Sequence, residues 1–164
     1  MRRIPDPGFP GDDGAVDPAV EAALASYARD PGRYAAALAV LQRSRVLVPV
    51  VAVLGEAEVD EAGLRRDKTS DMAAVLMRGQ DGRTALLAFT GTTPLQAWQR
   101  DARPVPVTAA QAAQSARQDG ADALLVDVAG PVMFVVEGED LQALAAGYAL
   151  VEVNGRFGWA RPAP

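Results

Sequence analysis

Apolar positions recur at helical spacing near the start of the chain. Val20, Leu24 and Tyr27 share one face of "VDPAVEAALASYAR", and Tyr34, Leu38 and Leu41 share one face of "ARDPGRYAAALAVLQRS". Each run is introduced by an Asp-Pro pair, Asp17-Pro18 and Asp30-Pro31. Aspartate accepts the free amides of a first helical turn, and proline has no amide to leave free there. The pattern therefore predicts two short amphipathic helices. "RVLVPVVAVL", starting at residue 45, is β-branched without alternation, as expected of a buried strand. Pro49 cannot donate to a ladder, so it marks an edge, a bulge or a strand end.

The second half mixes the two periodicities. "DMAAVLMRGQDGRTALLAFTG" predicts a hairpin turning at Asp81-Gly82, with Gln80 facing Arg83, Met77 opposite Leu86 and Leu76 opposite Leu87. "TTPLQAWQR" predicts a short helix capped by Thr93. "RPVPV" at 103–107 predicts a brief extended piece, followed by a helix that Thr108 caps and Gly120 ends. "ADALLVD" and "PVMFVVE" are two strands around Gly130-Pro131, and "GEDLQALAAG" is a further helix. The terminal "YALVEVNGRFGWAR" predicts a hairpin over 148–161, with Asn154-Gly155 as its turn.

Hairpins demand antiparallel pairing, so the order of elements predicts an α+β fold. A mixed or antiparallel sheet with two hairpins is packed by several short helices, two of them at the N-terminus. Residues 1–16 are rich in Pro, Gly and Asp and read as a flexible arm, with Phe9 as the side chain able to pin it. Residues 17–164 read as one domain. The polar stretch 55–71 is a long connection, acidic first and basic after.

Composition narrows the chemistry. The 164 residues are 49% hydrophobic and 23% charged, the mix of a globular domain. There is no cysteine and no histidine, so thiol nucleophiles, a Ser–His–Asp triad, imidazole catalysis and His- or Cys-ligated metals are all excluded. The net charge of −5 argues against nucleic acid as a partner. No apolar run approaches the roughly 20 residues that a membrane helix needs, and no apolar segment follows Arg2 and Arg3. The expectation is a cytoplasmic protein that engages no membrane.

Candidate motifs are few. No serine sits in a nucleophile motif, and "DKTSD" lacks the glycine loop of a phosphate cradle. Glu56, Glu58, Asp60 and Glu61 lack calcium-loop spacing and read as a solvated stretch. The single lysine, Lys68, stands near Asp71 ahead of the first hairpin strand. Hairpin pairing brings Asp71 towards Thr90, and Arg103 can join them if its strand lies alongside. These four residues form either a polar brace or a small anion-binding pocket. Asp71 or Asp127 buried beside another acid would instead speak for catalysis. Trp98 and Trp159 read as packing residues.

With these motifs placed, the chain resembles the SseB family, in its N-terminal domain type. The resemblance runs from about residue 34 to 146. It is carried by the ordered pieces "KTSDM", the hairpin "DGR", "FTGTT", "RPVP" and "GADALLVD". It implies that Lys68, Asp71, Phe89, Thr90, Arg103 and Pro104 belong to a shared pattern, and that longer members carry a second domain. It brings no reaction, cofactor or catalytic residue. The resulting expectation is a non-enzymatic interaction or regulatory module without cofactor or metal, with a protein partner or self-association. The alternative is a sensor of small anions or metabolites near Lys68, Asp71 and Arg103.

Overall fold

A computed structural model describes residues 9–53 and 71–163. Both Asp-Pro pairs begin helices. Asp17 caps α1 (Pro18–Arg29) through a 2.8 Å bond from the Ala19 amide. Asp30 caps a single 3₁₀ turn at Pro31–Arg33, which leads into α2 (Tyr34–Gln42). Val20, Leu24, Leu38 and Leu41 are buried, with Tyr27 and Tyr34 packed against them.

β1 (Arg45–Val53) is the centre of a three-stranded sheet. It pairs antiparallel with β5 (Arg103–Thr108) over Arg45–Val50 and with β2 (Asp71–Ala74) over Val50–Val53. Leu47 exchanges both backbone bonds with Phe89, at 2.7 and 2.8 Å. Pro49 follows two residues later on the same side of the strand and cannot donate. There the contact with Phe89 gives way to β2. Pro49 thus marks a change of partner within a central strand.

The same register governs the outer strand. Leu47 and Pro49 direct their backbone away from β5, so their partners Pro106 and Pro104 direct theirs outward. β5 is an edge, and proline removes the donor at both outward positions.

The first expected hairpin is divided. Its leading strand breaks at Val75 into β2 and β3 (Leu76–Arg78), and β3 pairs with β4 (Thr84–Ala88). The expected register is corrected by one residue. Gly79 faces Arg83 through a 2.8 Å bond, Leu76 lies opposite Leu86 and Met77 opposite Ala85. The loop uses three residues, with Gly82 in the left-handed region at φ 83°. A one-residue shift exchanges the two faces of a strand, so the expected partners do not meet.

β4 runs parallel to β6 (Ala123–Val126), which pairs antiparallel with β7 (Phe134–Glu137). The crossover from β4 to β6 contains α3 (Thr92–Trp98), β5 and α4 (Ala109–Gln118). α3 starts one residue before the expected cap, Thr93, with Gly91 in the cap position. Thr108 caps α4 in a reciprocal box with Gln111. Ala109, Ala112, Ala113 and Ala116 form a fully buried small face that lets α4 approach the sheet closely.

The sheet β3-β4-β6-β7 separates two apolar clusters. Leu86, Leu124, Val136 and Phe134 face the larger one, beneath α1, α2, α4 and α5 (Gly138–Ala145). Leu87 joins Leu47, Phe89 and Leu95 in the smaller, where Trp98 packs 5.6 Å from Phe89. The terminal hairpin, β8 (Ala149–Val153) and β9 (Arg156–Ala160), turns at Asn154-Gly155 as expected. The Gln42 side chain bonds Tyr148 and Leu150 along β8, and Trp159 donates to Asp140 at 3.0 Å. Among the described residues, no helix is long and apolar enough to cross a membrane.

Candidate functional site

Of the four sequence-predicted residues, Asp71, Thr90 and Arg103 have a backbone among the described residues, and Asp71 and Thr90 lie far apart on it. Lys68 lies outside the described residues. The backbone of Asp71 pairs with Val53 near the far end of β1, whereas Thr90 follows Phe89, which bridges Leu47. At about 3.3 Å per residue along β1, Asp71 and Thr90 are roughly 20 Å apart. Their expected proximity is therefore corrected. The strand is interrupted at Val75, whose carbonyl still accepts from the Leu87 amide at 3.1 Å, and before that point β2 pairs with β1 instead of β4. Arg103 is exposed in β5, opposite Val50.

Thr90 instead meets Asp127. Because β4 and β6 are parallel, their carboxyl ends lie side by side, Ala88 beside Val126. The next residues bring the Thr90 amide to Asp127 Oδ1 at 2.8 Å and the Thr90 hydroxyl to Oδ2 at 2.7 Å. Both residues are buried, 4% and 1% exposed. Burial pushes the Asp127 carboxyl above the ordinary aspartate range, and the two Thr90 bonds only partly oppose it. Among the described residues, the hydrogen-bond partners of the carboxyl are the Thr90 hydroxyl and amide.

The opposite side of Thr90 is held by Arg45. Its guanidinium donates to the Thr90 carbonyl at 2.5 Å, to the Ala15 carbonyl at 2.7 Å and to both carboxylate oxygens of Asp12 at 2.6 and 3.0 Å. This bidentate pair, led by its hydrogen bonds, holds the Asp12 carboxyl below the ordinary range. Of the expected N-terminal arm, residues 9–16 are described and bear these contacts. A second fastening is backbone to backbone, from the Thr92 amide to the Gly14 carbonyl at 2.7 Å.

Gly91 permits that approach. A Cβ there would sit 2.7 Å from Val16 Cγ2 and 2.9 Å from both the Gly14 carbonyl and the Val16 amide. Two of these neighbours are backbone and cannot swing aside. Gly91→Ala should therefore cost about 1–3 kcal/mol as an overpacked contact. Amide exchange at Gly14, Ala15 and Val16 should rise with it. Unchanged exchange at those three amides would refute the close packing of the arm.

A cavity of about 570 Å³ opens between the arm, α1 and the carboxyl ends of β4 and β6. Val16, Leu24, Pro94 and Val132 form walls, while Thr90 and Asp127 are at its polar end. A smaller groove of about 420 Å³ lies between the sheet β2-β1-β5 and the end of α4, with Val48, Val50, Val105 and Val107 along it. No cluster of acids able to hold a metal occurs among the described residues.

Sequence reasoning did not find Arg45, Asp12 or Gly91, and weighed Asp127 only as a possible partner of another acid. A usable signal was present: "LLAFT" and "LLVD" both end a buried strand in a polar side chain. Once such strands are taken as parallel neighbours, Thr90 and Asp127 must meet. The hairpin signals drew attention to antiparallel pairs instead.

Among known families, the SseB protein N-terminal domain matches residues 20–143. No curated protein matches the chain, and no solved structure does. The match takes in most of α1, α2 to α4, β1 to β7 and most of α5, leaving outside it the arm and the terminal hairpin. It also contains Arg45, Thr90 and Asp127, the three residues around which the site is built. On this match the chain belongs to the SseB family.

Proposed function

We propose that the protein is a non-enzymatic interaction or regulatory module whose partner is another protein. The observation that carries this reading is the groove between β2-β1-β5 and α4. Its valines share one sheet face, since Val46, Val48 and Val50 pair with Val107, Val105 and Arg103. The buried alanine face of α4 packs in one cluster with Val46 and Val48, while Val105, the partner of Val48, is 39% exposed. The composition supports the same reading, because without histidine or cysteine imidazole acid–base and thiol nucleophilic groups are missing. The rim is polar, with Ser115, Gln118 and Asp119 on α4 and beside it, as at a transient interface.

The test is affinity capture from native lysate. The wild type should retain a specific protein in near-stoichiometric yield, and Val105→Lys, an exposed substitution in the groove, should release it. Capture of background alone, or equal capture by both forms, refutes the reading.

The alternative is a sensor of small anions or metabolites near Lys68, Asp71 and Arg103. Its support is that Arg103 is exposed at the same end of the sheet as the Asp71 backbone. A ligand at a hundred times its Kd should add about 2.7 kcal/mol to stability, visible as a thermal shift. Lys68→Ala and Arg103→Ala should each abolish that shift. If both shift as the wild type does, the alternative fails.

A further inference from the structure

We propose that the cavity at the carboxyl ends of β4 and β6 binds a small organic cation, a protonated amine carried on a compact apolar body. Its volume, about 570 Å³, falls within the range of small-molecule sites. Its position is that of ligand sites in sheets with parallel strands, outside the carboxyl ends of those strands. The two ionisable residues among those lining it are Glu21 and Asp127, and both are acids. An anionic guest would meet two like charges and no cation among the lining residues, Arg45 behind them being paired with Asp12. A neutral apolar guest would fill the walls but leave the buried carboxylate without a counter-charge.

Asp127 has the capacity to take such a guest. A carboxylate offers about four acceptor positions. Thr90 occupies one on each oxygen. Asp127 lines the cavity while being 1% exposed, so water compensates little of the charge its carboxyl carries when ionised. An ammonium group would supply both the remaining donors and the missing charge, in a setting where such bonds are strongest. Exposed Glu21 stands on α1 at the mouth, where it would attract the same cation.

The arm is part of the site. Ala15 and Val16 contribute to the wall, and Arg45 connects Ala15 to the Thr90 carbonyl, on whose amide Asp127 rests. Occupation of the cavity and docking of residues 12–16 are therefore linked, and the effect of either on the other is reciprocal.

The experiment is a titration of the full chain, followed by the amide resonances of Thr90 and Val16. Cyclohexylammonium, cyclohexanol and cyclohexanecarboxylate serve as cationic, neutral and anionic probes of one shape. Cyclohexylammonium should shift both resonances saturably. Cyclohexanol should bind about tenfold more weakly, having lost the charge-assisted bond, and the carboxylate should not bind. Asp127→Asn keeps the side-chain shape and should erase the advantage of the amine over the alcohol. Glu21→Gln, exposed and remote from the core, should weaken the amine alone by about threefold, as loss of a single surface charge does. The proposal is overturned if no probe shifts these resonances, or if the alcohol or carboxylate binds as tightly as the amine. It is equally overturned if amine affinity survives both substitutions unchanged.

Discussion

Replacing Phe134 by alanine is expected to destabilise the protein by about 3–5 kcal/mol, the range for a large aromatic removed from a close-packed core. Phe134 begins β7 and is fully buried. Its ring stacks on Tyr34 at 4.7 Å with planes 12° apart, and meets the edge of Tyr27 at 5.1 Å. The two tyrosines come from α1 and α2, so this one ring joins the N-terminal helices to the sheet. Tyr34 is fixed from its other end, where its hydroxyl donates to the Val135 carbonyl at 2.6 Å. Neither tyrosine can close the void without giving up its own position. A domain of this size has a total stability of about 5–15 kcal/mol, so the loss is a large share of it. Phe134→Leu, which keeps most of the volume, should cost about 1.5 kcal/mol or less. Urea unfolding of the three proteins measures the difference, and a Phe134→Ala cost below that of Phe134→Leu would contradict the packing.

The second large effect is expected at Asp127, and there the choice of replacement decides the outcome. Asp127→Ala strands the Thr90 amide in a buried site, which costs about 1–3 kcal/mol. It also puts alanine at φ 54°, in the left-handed region that costs a residue with an ordinary Cβ about 1 kcal/mol or more. The sum is about 3 kcal/mol. Asp127→Asn should be almost free of cost. Its carbonyl oxygen still accepts from the Thr90 amide, the Thr90 hydroxyl can turn to accept from the new NH₂, and asparagine tolerates the left-handed region well.

The same pair carries a pH dependence of known sign. Burial raises the Asp127 carboxyl above its unfolded value. The folded state then holds its proton longer than the unfolded state does. The associated stability is complete below the ordinary aspartate range and is lost as pH rises through the raised value. Asparagine has no proton to lose there, so Asp127→Asn should gain stability relative to wild type as pH climbs through that window. Asp12 opposes this trend: its lowered carboxyl contributes stability above the ordinary range that disappears as pH falls through the depressed value. Measuring both Asp127→Asn and Asp12→Asn across this range separates the two. A flat difference between wild type and Asp127→Asn would exclude the burial of a titrating carboxyl.

The sequence was legible wherever an element is decided by its own neighbours. Asp17 and Asp30 announced helix starts because a cap depends on the amides two or three residues ahead. Asn154 and Gly155 announced the last hairpin because the backbone conformation of the turn is set by those two residues. It was legible only in outline at the first hairpin. Asp81-Gly82 marked a turn, yet whether a loop has two or three residues depends on how Gly79 meets Arg83, and one residue of difference reverses every facing pair.

Sequence by itself determined the class of fold, the positions of the helices, the family pattern and the absence of thiol and imidazole chemistry, for these depend on residue identity and short spacing. Tertiary structure alone decided that β2 leaves its hairpin partner for β1, that Pro104 and Pro106 face outward on an edge, and that Thr90 belongs with Asp127 and not Asp71. Those outcomes rest on pairings between strands far apart in the chain. Local propensity carries no record of which distant strand will lie alongside, because that choice is made by the burial of whole faces and by the one proline that interrupts a ladder.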